Sequence, residues 1–178
     1  MSIRDISNTK MWLTQKYTSW VSDYKRYLLL RGYQGHVNDW FFFKRSFLEC
    51  WWQPGFHRFW QIWNPGISYF TYKLYLSLGG NKRRALGTIT AFLINGIVHN
   101  LVVIPFLGRW DFPLPFTFLC FGLLTVGFNW LDGHINLQKL PWICHLFINV
   151  GLVLVSFEIG FQSNRLLVHE LLRGGTGT

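Results

Sequence analysis

The residues best placed to do chemistry lie in a run that is otherwise apolar. Thr88, Asn95 and His99 stand at i, i+7 and i+11, which puts them in one stripe along one helix face. A histidine is a suitable general base near neutral pH, provided that burial does not push its pKa too low. Asn95 lies one helical turn before His99, within reach of its ring. A second stripe of the same kind exists. His145, Asn149 and Ser156 also share a face, with Glu158 about 200° further round from Ser156 by helix geometry. Spacing alone does not rank the two. Each fits a proton-transfer site, and each fits a buried histidine packed against a neighbouring helix. A third set, His57, Trp60 and Asn64, stands at i, i+3 and i+7. His36, His134 and His169 lie in polar or terminal surroundings and read as surface residues. The six histidines form no HxxxH pair and the three cysteines, Cys50, Cys120 and Cys144, form no CxxC. No metal site, zinc knuckle or disulfide scaffold is therefore expected. A GxSxG serine-nucleophile motif is absent as well.

The elements that must hold these residues follow from the charge pattern. Half of the 178 residues are hydrophobic and 14% are charged, against about 25% charged in an ordinary soluble domain. With 19% aromatics, a disordered chain is excluded. Thirteen of the 17 Lys and Arg residues fall within the first 84 positions. Residues 85–108 and 112–131 carry no charge, and residues 140–161 carry only Glu158. These runs of 24, 20 and 22 residues match the roughly 20 residues with which a helix crosses a hydrocarbon core. The net charge of +9 then reads as membrane-surface charge, and no nucleic acid is expected as a partner.

The expected fold is all-α: a multi-pass membrane helical bundle with amphipathic interfacial helices in its N-terminal half. One membrane domain covers residues 1–178, with spans at 85–108, 112–131 and 140–161 and a tail over 162–178. Residues 1–35 mix aromatic and basic side chains as a surface helix does. Trp40, Phe43, Phe47 and Trp51 step at helix spacing. Pro54-Gly55 and Pro65-Gly66 bracket a short helix of about two turns, and Pro65 disfavours helical geometry at Asn64. The amphipathic stretch from Ile67 to Leu78 stops at Gly79-Gly80. Lys82, Arg83 and Arg84 precede the first span, whereas the next loop offers only Arg109 and Asp111. The positive-inside rule puts the N-terminal side of that span in the cytoplasm.

The stretch from residue 40 to residue 110 resembles the membrane-bound O-acyltransferase family, in its C-terminal catalytic half. Phe59-Trp60-Gln61-Ile62-Trp63-Asn64-Pro65 looks like the family's tryptophan-rich "FW…WN" signature. Tyr75-Leu76-Ser77-Leu78-Gly79-Gly80-Asn81-Lys82-Arg83 is similar to the glycine turn of the bacterial polysaccharide O-acetylases, with Ser77 in place of a proline. Phe92-Leu93-Ile94-Asn95-Gly96-Ile97-Val98-His99-Asn100 looks like the segment with the active histidine, with Asn100 where that branch has Gly. Cys50-Trp51-Trp52 is similar to the "D-W-W" element of the sterol and diacylglycerol branches.

The resemblance implies acyl transfer from a thioester donor, an acyl-CoA or acyl carrier, to a hydroxyl of a polysaccharide or lipid acceptor, with no bound cofactor. His99 matches the catalytic histidine and Asn64 the second polar catalytic position. Trp60, Trp63, Asn95 and His57 are the expected substrate-binding residues, with Asn95 holding the imidazole in one tautomer. The implied setting is the lipid membrane, in a bacterial inner membrane. Three spans are few for a large reaction chamber, so a second membrane subunit or a homo-oligomer is an expected partner. Two other readings stay open: a non-catalytic or partial subunit that needs a partner chain, and a small transporter component with polar stripes lining a wet path.

Overall fold

The structure is a computed structural model that describes residue 19 and residues 21–33, 39–107 and 113–174. Most of the expected N-terminal surface helix, His36, the loop with Arg109 and Asp111, and the tail from residue 175 lie outside the described residues. All regular elements among the described residues are helical. The chain forms two units, Met1–Lys44 and Arg45–Thr178.

In the first unit, helix α1 covers residues 21–30. It closes on Gly32 and Tyr33, whose N–H groups donate to the carbonyls of Leu29 and Leu28, each at 3.0 Å. This is the six-to-one closure that a glycine after a helix commonly makes. Tyr27, Leu28 and Tyr33 are buried, and the Phe42 ring of helix α2 (Asp39–Phe43) lies 5.7 Å from that of Tyr33.

A π-helical turn over Lys44–Leu48 and a 3-10 turn over Glu49–Trp52 come next. The backbone over residues 40–51 is therefore not the one regular helix that the spacing of residues 40, 43, 47 and 51 predicts. The fully buried positions here are the small Ser46 and Cys50, while Trp40 is exposed. Phe47 and Trp51 still pack their rings on Trp63, at 5.0 and 5.9 Å.

The bracketed segment behaves as its prolines dictate. Helix α3 is Phe56–Ile62. Asn64 takes φ 38° and ψ 82°, outside the helical well. Pro65 then starts helix α4 (Pro65–Ser77), where its missing N–H costs no hydrogen bond. The Ser68 hydroxyl bridges the carbonyls of Trp60 and Trp63 at 2.9 and 2.6 Å, tying the end of α3 to the start of α4. Helix α4 ends at the expected glycines, with the Gly80 N–H on the Tyr75 carbonyl at 3.0 Å.

Helices α5 (Arg84–Leu107), α6 (Pro113–Asp132) and α7 (Trp142–Gly174) follow. All three are long and apolar enough to cross a membrane. The first two match the uncharged runs to within a residue. Helix α7 continues well past residue 161, because nothing between Gln162 and Gly174 breaks a helix once it has formed. Helix α5 lies close to α6 at Gly96, where a β-carbon would stand 2.7 Å from Phe118 Cβ and 2.8 Å from the Leu114 carbonyl. Small residues permit such backbone approach between apolar helices. The Asn100 side chain adds a bond to the Leu114 N–H at 3.4 Å.

The core is aromatic. Cys50, Phe56, Phe59, Phe92, Phe118 and Phe121 are buried together, with Trp51, Trp60 and Trp63 packed against them. Each well-placed ring pair contributes roughly 0.5–1.5 kcal/mol beyond its buried area. One polar tie anchors this cluster to α7. The fully buried Asn149 donates both amide hydrogens, to the carbonyls of Trp51 at 2.9 Å and Gln53 at 3.0 Å.

Candidate active site

Helix α5 carries His99 about 5 Å past its midpoint at 1.5 Å rise per residue. The imidazole Nδ1 lies 2.8 Å from the backbone carbonyl of Asn95. A carbonyl only accepts, so Nδ1 must carry the proton, and the neutral ring then presents a bare lone pair at Nε2. That nitrogen has no hydrogen-bond partner among the described residues. One side of the half-buried ring rests on Phe118, centroid to centroid 5.1 Å.

The Asn95 side chain does not hold the ring, contrary to expectation. The backbone carbonyl four residues back is in line with Nδ1 and does so instead. Asn95 is a buried residue, 3% exposed, and its side chain makes no hydrogen bond among the described residues. Trp60 approaches the same wall from α3. Its ring packs on Phe92 at 5.2 Å, Phe121 at 4.8 Å and Phe118 at 6.4 Å. Its indole Nε1 is buried and makes no hydrogen bond. Leaving such a group unpaired costs about 1–3 kcal/mol.

Asn64 has a structural duty: its Oδ1 accepts from the Ile67 N–H at 3.3 Å, capping α4. With the oxygen committed, both Nδ2 hydrogens remain for another acceptor. No hydrogen bond or ring contact among the described residues joins Asn64 to His99. Trp63 turns to other neighbours, Phe59 at 5.5 Å, Phe47 at 5.0 Å and Trp51 at 5.9 Å. Of the six expected site residues, Trp60 and His99 thus share Phe118 as a ring neighbour, and Asn95 touches the imidazole through its backbone carbonyl.

His57 belongs to a different cluster. Its Nε2 lies 3.5 Å from Asp132 Oδ2 at the end of α6, and Arg58 Nη2 donates to the same oxygen at 2.8 Å. With its amide carbonyl turned toward Arg58, Gln138 accepts from Nη1 and Nη2 at 2.9 and 3.1 Å. The far edge of the His57 ring is shut in. A β-carbon at Gly55, which has φ 91°, would stand 3.1 Å from Nδ1. Burial pushes the His57 pKa down, against the pull of the Asp132 carboxylate, and the Arg58 charge lowers it further. Arg58, Asp132, His134, Asn136 and Gln138 line an open cleft of about 410 Å³. Spacing gave no sign of Asp132 as a partner, because it is 74 residues from Arg58. Its one signal was to be a lone acid closing an apolar run.

The rival stripe on α7 is accounted for by packing at two of its three positions. Asn149 clamps Trp51 and Gln53, and the Ser156 hydroxyl donates to the Leu152 carbonyl at 2.7 Å. His145 is buried. His134 is exposed with its ring tilted against Trp130 at 4.4 Å, and His169 is exposed beside Glu170. Among the described residues no group of three His, Cys, Asp or Glu could hold a metal ion. Burial pushes the Cys50 thiol up to about 12, so it is no thiolate at neutral pH. No family model, curated protein or solved structure matches the chain.

Proposed function

We propose that the chain is an integral, multi-pass protein of a bacterial inner membrane that transfers an acyl group from a thioester donor to a hydroxyl of a polysaccharide or lipid acceptor. The observation that carries this reading is the state of His99. Its Nδ1–H is spent on the Asn95 carbonyl, so Nε2 is a lone-pair acceptor on a half-buried ring. In the proposed step, Nε2 takes the proton of the acceptor hydroxyl while the oxygen bonds to the thioester carbonyl carbon. The carbon–sulfur bond then breaks, and the leaving thiolate recovers the proton from the imidazolium. The products are an ester and a free thiol.

The resemblance in the tryptophan-rich and glycine-turn segments supports the choice of acyl transfer among reactions that need one base. Asn64, capped through its oxygen, has an amide donor left over for a substrate oxygen. Lys82, Arg83 and Arg84 are exposed at the start of α5, where they anchor the span at a cytoplasmic headgroup layer and attract an anionic donor. A transporter path is less well supported, because Asn149 and Ser156 are already bonded to backbone.

The test is thiol release from an acyl-coenzyme A by the purified chain. General-base catalysis is worth roughly 10²- to 10⁴-fold, so His99→Ala should lose that much while His145→Ala keeps its rate. Loss in His145→Ala alone would move the site to α7. Full activity in both variants would remove the histidine-base mechanism.

A further inference from the structure

The open cleft beside the end of α6 takes no part in acyl transfer. Asp132 stands about 21 Å along α6 from Phe118, the ring that touches His99, at 1.5 Å rise per residue. Arg58, Asp132, His134, Asn136 and Gln138 line this cleft of about 410 Å³. Their hydrogen bonds within the chain leave a defined remainder. Arg58 gives Nη2 to Asp132 Oδ2, and Nη1 and Nη2 to the Gln138 carbonyl, so its Nε–H and one Nη1 hydrogen stay unspent. Gln138, with that carbonyl engaged, keeps its amide donors. Asn136 Oδ1 caps the 3-10 turn over Leu137–Lys139 by accepting from the Gln138 N–H at 3.1 Å, which leaves the Asn136 amide donors as well. His134 Nδ1 lies 2.8 Å from the Trp130 carbonyl, so in the neutral ring Nε2 is a bare acceptor. Asp132 Oδ1 makes no hydrogen bond among the described residues.

The cleft thus holds donors on Arg58, Asn136 and Gln138 and acceptors on Asp132 and His134, with one guanidinium and one carboxylate among them. A phosphodiester that carries a primary ammonium is the complement of that set. Its phosphate oxygens accept from the guanidinium and the two amides, and its ammonium donates to Asp132 Oδ1 and His134 Nε2. Charge-assisted bonds of this kind are the strong ones. A headgroup with phosphate alone leaves the Asp132 carboxylate facing like charge, and a quaternary ammonium has no N–H to give.

Position decides where that chemistry comes from. Helix α6 has 20 residues, about 30 Å of helix, which is the thickness of a hydrocarbon core. Its last residue, Asp132, and the short link to α7 then fall at headgroup depth. Trp130 and Trp142, near the facing ends of the two helices, are both exposed, and the Trp52 ring lies 4.8 Å from that of Trp142. Tryptophan favours that depth. Ile135, which also lines the cleft, is an exposed apolar side chain, suited to an acyl chain below the headgroup. We propose that this cleft binds one phospholipid through a phosphoethanolamine headgroup. The proposal rests on α6 and α7 being membrane spans and not on the acyl-transfer step.

The experiment titrates the full chain in detergent micelles with dioleoyl phosphatidylethanolamine, phosphatidylcholine or phosphatidylglycerol and counts bound lipid by native mass spectrometry. One phosphatidylethanolamine per chain is expected, held about 10- to 100-fold tighter than either other lipid, which is the usual worth of a hydrogen bond to a charged group. Asn136→Asp keeps the cap and turns the amide donors into an anion, and His134→Leu removes the acceptor. Each should weaken phosphatidylethanolamine binding by about tenfold or more at an unchanged thermal midpoint, because both residues are exposed. Equal affinity for the three lipids, or wild-type affinity in either variant, overturns the site. Glycerophosphoethanolamine, the same headgroup without acyl chains, tests the source. At millimolar concentration it should leave the bound lipid in place, and its displacing the lipid would overturn the proposal in favour of a soluble ligand. Release of the chain from membranes by alkaline carbonate would remove the spans, and the lipid site with them.

Discussion

His99 and His57 both meet a side chain of α6, Phe118 and Asp132 respectively, yet they end in opposite states. His99 spends one nitrogen on a backbone carbonyl of its own helix and keeps the other bare. His57 faces a carboxylate that Arg58 already holds, and its second edge is closed by Gly55. In the proposed reaction, the first exchanges a proton with the acceptor hydroxyl. The second joins a network that fastens α3 to the end of α6. His57 is buried and His99 half-buried. Each keeps one ring nitrogen without a hydrogen bond among the described residues, and what separates them is access, since the bare nitrogen of His57 is sealed behind Gly55.

The widest gap between the two regions should appear in catalysis. His99→Ala is expected to cost about 10²- to 10⁴-fold in turnover with an unchanged thermal midpoint, measured by thiol release and by unfolding in the same detergent. Equal loss of rate and midpoint would mean that His99 is a packing residue. Next in size is Asp132→Ala, which leaves Arg58 without its carboxylate partner. Removing one member of a buried pair costs about 3–5 kcal/mol. The partial exposure of Arg58 and Asp132 reduces this to about 1–3 kcal/mol through solvent screening, read as lost stability by chemical unfolding in micelles. No loss would show that the cluster does not hold α3 in place. Asn149→Ala removes two bonds to the Trp51 and Gln53 carbonyls and should cost about 1–3 kcal/mol at the usual net value per bond. Tryptophan fluorescence of the 3-10 turn is expected to change with it.

The smallest expected effect is a pH slope. His57 is neutral in the fold with its pKa held below the ordinary histidine value, chiefly by burial. The unfolded chain therefore binds the proton first as pH falls. Stability should be full above the ordinary value and decline as pH drops through it, levelling off only below the depressed folded pKa. Comparing midpoints at pH 7.5 and 5.5 checks this, and His57→Gln should flatten the slope. A slope that survives the substitution belongs to another group.

The long helices were legible because a span is a matter of composition: an uncharged run fixes α5 and α6 almost to the residue. The same property hid the end of α7, since hydropathy marks where the apolar stretch stops and not where the backbone hydrogen bonds stop. Asn64 and Pro65 were legible from backbone chemistry, and the αL turn between α3 and α4 is their direct result. The pitch changes between Lys44 and Trp52 were not, because a π turn and a 3-10 turn depend on which side chains the neighbouring rings admit. At the site, helix periodicity placed Asn95 and His99 on one face, but it could not say that a carbonyl would take the imidazole. Asp132 and Gln138 join Arg58 only through folding across long sequence separation, for which local spacing holds no signal.

The bond from His99 Nδ1 to its own helix backbone has one more consequence. An imidazole that relays protons between two compartments must load one nitrogen and unload the other. Here one of the two doors is kept shut, so whatever enters at Nε2 must also leave there. In the proposed reaction such a ring serves acceptor hydroxyl and leaving thiolate by turns on a single side, whereas a conducting wire needs both.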